Sequence, residues 1–295
     1  MFGRLSCLPS NYSPSILSIG IIIREMLNFM SNHPFLQLKP DQVTPELRAI
    51  FTPAEPASVR CFAVLDGHAA GRIFTDHPES PTWAVLQEAV FSSLYLAGML
   101  SQSILRQLVT KLRTEGDVLV GLWQQDPRWS FLPPDPEYAG YTLEYFDRNP
   151  DRDSNHSLPG VPAGCELRRL DSTLAKQILD RNMLIRMYGS IQQALEWGYG
   201  LCLMRGDEIL CEAFAGPAAN GTIEIGVETN PHHMQQGYAT LTCLHLIQRM
   251  EQQGYSTYWN CASQNQASIA LAHKLGYQAE KQYRLLAWFK NQNGI

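Results

Sequence analysis

The stretch Glu224-Ile-Gly-Val-Glu-Thr-Asn-Pro-His-His-Met-Gln-Gln-Gly-Tyr-Ala-Thr240 limits the fold of this chain more than any other. Thr222 to Thr229 alternates as a half-buried strand does. From about Gly237 to Gln253, apolar residues recur at helical spacing, with Leu241, Leu244 and Ile247 on one row and Cys243, Ile247 and Met250 on another. A strand therefore passes through a short loop into a long helix whose first amides lack partners within the helix. Unpaired donors and the positive end of the helix dipole converge there, which favours an anion. Gly237 and Ala239 carry little or no side chain, so an anion can approach the amides. A Gly-x-Ala at a helix start is also an ordinary packing feature, and alone it leaves both readings open.

A second junction, Trp259 to Tyr277, repeats the theme. A strand from Tyr255 to Cys261 ends, Asn265 opens a helix in a run of capping-type residues, and Gly276 closes it at a natural C-cap. Around these junctions the spacing predicts a strand at Cys165 to Leu170, a helix from an Asp171 N-cap to about Leu184, and a helix near Ser190 to Trp197. A hairpin follows, Tyr199 to Met204 and Glu208 to Phe214, turning at Arg205-Gly206-Asp207, and a last strand runs from Tyr283 to Phe289.

Together the junctions resemble the GNAT superfamily of N-acyltransferases. Met234 to Ala239 matches its Gln/Arg-x-x-Gly-x-Gly/Ala loop, Asn265 to Tyr277 matches its Asn-x-x-Ser-Ile-x-Leu-x-x-Lys-x-Gly-Phe helix, and the element order is the family's. The resemblance runs from about residue 163 to 291. It implies a mixed, mostly antiparallel α/β sheet flanked by helices, and acetyl-CoA as acyl donor. The amides of Gln235, Gln236, Gly237, Tyr238, Ala239 and Thr240 would hold the pyrophosphate. The backbone of Val227, Glu228 and Thr229 would pair with pantetheine as an added strand would. Asn265 would contact the pantetheine arm, with Ser268 and Lys274 as lesser contacts. The implied activity is acetyl transfer to a primary amine, on a small molecule or a peptide, by direct attack in a ternary complex. Two departures favour an alternative, an impaired acyl-CoA-binding sensor or scaffold: Met234 stands where the family has Gln or Arg, and Ala272 where many members have a Tyr acid. A thiol has a pKa of about 8.5, so the acid's absence does not by itself imply inactivity.

On a strand, residues two apart share a face, so Thr222, Glu224, Gly226 and Glu228 line one side and Ile223, Ile225 and Val227 the other. Two carboxylates beside the cofactor loop suggest a base; the bland alternative is a pair of solvated edge charges. The resemblance ranks Glu224 first, since the family often places a catalytic acidic residue on this strand ahead of the loop, with Glu228 as substitute because it sits where pantetheine would pass. Other chemistry finds less support. Adjacent His232 and His233 normally point apart, and His245 and His273 lie on helices, so no metal is expected. Cys261 and Ser268 have no assignable His and Asp partners.

The 295 residues allow two domains. Prolines 133, 134, 136, 150, 159 and 162 and a polar stretch from Asp147 to Ser157 read as a linker, 148–162, with one strand before it at Tyr141 to Phe146. We therefore expect a divergent, smaller α/β domain at 30–147 and the GNAT-like domain at 163–295. The first is read as strands at Val59 to Leu65 and Gly71 to Thr75, strand-like Ala84 to Leu86 and Ser92 to Leu96, a helix at Ser101 to Thr114 and a strand at Asp117 to Trp123. That resembles a GNAT core lacking its first elements and its phosphate loop, a non-binding half that shapes the acceptor site. Residues 1–29 are set aside as an extension or a mis-assigned start, because the apolar run Ile16 to Ile23 is too short to span a bilayer. A net charge of −5 without Lys or Arg clusters argues against nucleic acid as a partner. Seven scattered cysteines and no CxxC fit reduced thiols in a cytoplasmic protein, with no membrane partner.

Overall fold

A computed structural model describes residues 35–149 and 158–290. The expected extension at 1–29 and much of the expected linker lie outside those residues. The strands are β1 (Leu36–Leu38), β2 (Gly71–Thr75), β3 (Trp83–Glu88), β4 (Ser93–Gly98), β5 (Val118–Leu122) and β6 (Tyr138–Phe146). After them come β7 (Glu166–Arg169), β8 (Tyr199–Arg205), β9 (Glu208–Ala215), β10 (Thr222–Thr229), β11 (Ser256–Ala262) and β12 (Ala279–Trp288). They form one twelve-stranded sheet in the order β1-β2-β3-β4-β5-β12-β6-β11-β10-β9-β8-β7.

This order has an internal repeat. In the first half, β2, β3 and β4 are antiparallel and a helix leads to a parallel β5. In the second, β8, β9 and β10 are antiparallel and a helix leads to a parallel β11. The halves are joined by exchange: β12 lies between β5 and β6, while β6 lies between β12 and β11. The segments expected as two domains thus contribute to one sheet, and β6 and β12 pair antiparallel at its centre from Phe146 and Ala279 to Tyr138 and Ala287.

The helices are α1 (Pro45–Ala49), α2 (Ser58–Leu65), α3 (Gln102–Glu115), α4 (Arg181–Tyr188), α5 (Ile191–Trp197), α6 (Tyr238–Gln252) and α7 (Gln266–Lys274). Alternation in β10 places Ile223 and Ile225 in a core with Cys243, Leu246 and Ile247 of α6, which is why strand and helix pack as a unit. In α3, Leu105, Leu108, Val109 and Leu112 are buried at one-face spacing, and Ser101 caps its Ile104 amide at 3.2 Å.

Two sequence expectations are corrected. Val59 to Leu65 is helical: α2 buries Cys61 through Leu65, and a short apolar run enclosed on several sides carries no usable period. The helix expected over Asp171 to Leu184 is broken. Asp171 accepts from the Thr173 and Leu174 amides at 2.8 and 2.9 Å ahead of only a 3₁₀ turn at Leu174–Lys176, and Asp180 caps α4 anew through the Met183 amide. No helix among the described residues is long and apolar enough to cross a membrane.

Candidate active site

β10 and β11 pair only from Thr222↔Ser256 to Glu224↔Tyr258. Beyond Glu224, β10 keeps β9 as its partner through Thr229, while β11 pairs with β6 from Trp259 onward. The strands part, and a wedge opens along which one edge of β10, from Ile225 to Thr229, lacks a neighbouring strand among the described residues. Backbone donors and acceptors on such an edge are available to an extended ligand.

The loop after β10 leads to the mouth of the wedge. Asn230 caps a 3₁₀ turn at Pro231–His233, accepting from the His232 amide at 3.1 Å. Gln235 and Gly237 then both take positive φ, 61° and 79°, turning the chain into α6. Gly237 is the N-cap and supplies no side-chain acceptor, so the amides of Tyr238, Ala239 and Thr240 have no capping partner among the described residues. A Cβ built on Gly237 would meet nothing within 4 Å, so there is room in front of these amides. The site has the two requirements of a phosphate cradle: free amides and space.

α7 forms the opposite wall. Asn265 caps it, its Oδ1 accepting from the Ser268 amide at 3.1 Å, and the Ser268 hydroxyl accepts from Trp259 Nε1 at 2.9 Å. Ser268 is therefore engaged in holding the Trp259 ring. Asn265, Ser268, Leu271 and Lys274 face one cavity of about 700 Å³ that also takes in Val227, Glu228, Thr229, Gln235, Gly237, Tyr238, Ala239 and Thr240. Gln236 is exposed and is not on that wall. Ala272 is fully buried and also off the wall, so this position presents no proton donor to the cleft. Met234 lines the cavity with its side chain largely exposed. His233 Nε2 lies 2.7 Å from Glu208 Oε1, and no group of three metal-ligating side chains occurs among the described residues.

At the far end of the cavity the first half of the chain closes the site. Arg60 of α2 grips Glu224 at two points: Nε donates to Oε2 at 2.6 Å and Nη2 donates to Oε1. Tyr258 Oη donates to the same Oε2 at 2.9 Å. Burial works against the Arg60 charge, but the adjoining Glu224 carboxylate outweighs it and raises the guanidinium above its ordinary value. Burial, reinforced by Glu224, pushes the Tyr258 phenol up, so it stays a donor. Behind them, Glu144 of β6 is 2% exposed and accepts from the Ala57 amide. Burial raises it to about 7, against the pull of that amide and of Arg60. Glu228 is exposed; partial burial and then Asp180 move its carboxyl upward.

The structure thus brings Glu224 and Glu228 to one cavity, as the strand period suggests, but only Glu224 joins a buried polar cluster. Arg60 and Glu144 have no place in the sequence reading, in which Tyr258 is only an aromatic that lines an acceptor pocket or belongs to the core. Arg60 lies 164 residues from its partner, on a segment misread as a strand, so no local signal marks it. Glu144 carried a weak one: a carboxylate alternating with Leu143 and Tyr145 in a strand.

The GNAT acetyltransferase family model matches residues 52–286. An uncharacterized N-acetyltransferase of Bacillus subtilis, YdfB, is 24% identical over 127 residues, 42% of this chain and 49% of that protein, so the match spans about half the relative's length. Among solved structures, a GCN5-related N-acetyltransferase-like protein from Streptococcus suis superposes with a TM-score of 0.58 at 18% identity, covering 80% of this chain and 95% of that one. A tandem GNAT protein from the clavulanic acid biosynthesis pathway gives 0.56 at 14% identity, over 88% and 99%. These structures share the fold.

Proposed function

Because the chain belongs to the GNAT acetyltransferase family, we propose that it transfers an acetyl group from acetyl-CoA to a primary amine within a ternary complex. The observation that carries this is the wedge between β10 and β11, with free amides and open space at its mouth. In this reading the edge of β10 at Val227, Glu228 and Thr229 pairs with pantetheine. The amides from Gln235 to Thr240 receive the pyrophosphate, and Asn265 contacts the pantetheine arm. Ser268 acts indirectly, by fixing Trp259.

The amine must be neutral to attack. Glu224 takes its proton, directly or through a water, with Arg60 and Tyr258 fixing the carboxylate's orientation; both oxygens are engaged, yet Oε1 accepts only from Arg60 and has a lone pair to spare. Attack forms the C–N bond, the C–S bond breaks, and CoA leaves as a thiolate that its own pKa makes tolerable without an acid at Ala272. Glu228 stands in reserve as the second carboxylate. A backbone N–H at Val227 is the donor for the thioester oxygen.

A second reading, an acyl-CoA-binding module without turnover, draws on Ala272 being a buried methyl group. Thiol release from acetyl-CoA in the presence of primary amines separates the two. The transfer reading expects amine-dependent release of free CoA, and tight acetyl-CoA binding with no release for any amine would favour the module.

A further inference from the structure

We propose that the acceptor is a primary amine on a compact apolar body, an arylalkyl or branched alkyl amine, bound between the two halves of the chain against Phe214. This deepens, and rests on, the transfer reading above. Beyond Glu224 the cavity wall changes character. The first half contributes Val59 and Ala63 of α2 and Phe91 of the β3–β4 turn, while the second contributes Met183 and Met187 of α4 and Phe214 of β9.

Phe214 is placed with particular care. It pairs with Gly226 across β9 and β10, and a Cβ on Gly226 would come within 2.2 Å of its ring. The ring therefore lies over the bare backbone of Gly226, between Glu224 and Glu228 on the same face, as aromatic cover over a strand glycine. An amine delivered to Glu224 has this ring beside its carbon skeleton. Met183 and Met187 add adaptable apolar wall.

Glu88 and Arg60, which also line this end, already have partners. Glu88, 2% exposed, accepts from the amides of Val90 at 2.6 Å, Phe91 at 3.0 Å and Ser93 at 3.1 Å. Arg60 is paired with Glu224 and lies over the Phe91 ring at 4.5 Å. One cation and two carboxylates favour an ammonium and disfavour an acceptor that carries its own carboxylate. A polyhydroxylated or polycationic acceptor would bury several polar groups with few partners, and each group left unpaired weakens its binding.

The test uses the full chain, with acetyl-CoA and 2-phenylethylamine, spermidine, kanamycin and glycine as acceptors, read by CoA release. Calorimetry of each amine on the CoA-loaded protein gives binding without turnover. We expect kcat/KM for 2-phenylethylamine to exceed the other three by at least about tenfold. Phe214→Leu should raise KM for that amine by several-fold while leaving the affinity for CoA unchanged. Faster transfer to spermidine, kanamycin or glycine, or no binding of 2-phenylethylamine to a chain that does bind CoA, overturns the acceptor assignment and leaves the transfer reading standing. A chain that binds no CoA overturns both.

Discussion

Glu224 is where the proposed chemistry and the architecture meet, because one carboxylate joins both halves of the chain and lines the cavity. With an accepted amine, Glu224→Gln should lower kcat by about 10²-fold or more at pH 7, and the deficit should shrink at higher pH as the amine loses its proton unaided. Wild-type kcat across pH 6 to 9 would pass the role to Glu228 or to water. Glu144 makes a separate prediction about stability. Its ordinary value is 4.5 and its folded value about 7. Between those values the folded chain holds a proton that the unfolded chain has lost, so stability falls as pH rises through this window, and the full penalty applies above it. Glu144→Gln removes the penalty and keeps an acceptor for the Ala57 amide. The variant should gain on the wild type from pH 5 to 8, by up to about 3 kcal/mol. Parallel denaturation midpoints over that range would refute this. Residue roles were legible only where the chain is local: the strand period put Glu224 and Glu228 on one face, whereas Arg60 and Phe214 depend on neighbours distant in sequence or on a glycine's missing side chain.

Elements set the proposed cofactor end. The α6 N-terminus leaves its first amides open because Gly237 caps it without an acceptor, whereas in the first half Ser101 occupies an amide of α3. The contrast extends to the strands. β4 and β5 pair only at Ser93↔Leu119 and Leu94↔Val120, and Arg128 then donates to the Leu96 carbonyl at 2.9 Å, held by Asp126 and Glu55. A protein side chain takes an edge group of β4 there, where on β10 the corresponding edge has no strand partner among the described residues. Gly237→Glu should abolish acetyl-CoA binding, because it sets an anion before the amides. Gly237→Ala imposes the same positive-φ strain without the charge and should retain binding, weakened. Equal affinities of Gly237→Glu and wild type, measured on folded protein, would remove the loop from the site. These junctions could be read from sequence because glycine, capping residues and periodicity act over a few positions. α2 could not, since a short run buried on several sides reads alike as helix or strand.

At the scale of the molecule, the exchange of β6 and β12 determines what can exist alone. A chain starting at residue 163 has the loop, the wedge and α7, but it lacks β6, the strand between β11 and β12. Both neighbours would then lose a ladder at the centre of the sheet. Such a chain should show no cooperative unfolding transition by circular dichroism and no acetyl-CoA-dependent stabilisation; a cooperatively folded, CoA-binding fragment would show that β6 is dispensable. The exchange was invisible in the sequence, where the prolines after Phe131 read as a boundary, because strand order is a non-local property that no periodicity records. Calorimetric titration of the full chain with acetyl-CoA decides whether one acetyl-CoA site lies in the β10–β11 wedge of the two-half sheet. We expect saturable binding at one equivalent per chain, lost in Gly237→Glu and unaffected by Arg128→Lys. No binding, two equivalents, or binding that survives Gly237→Glu would contradict it.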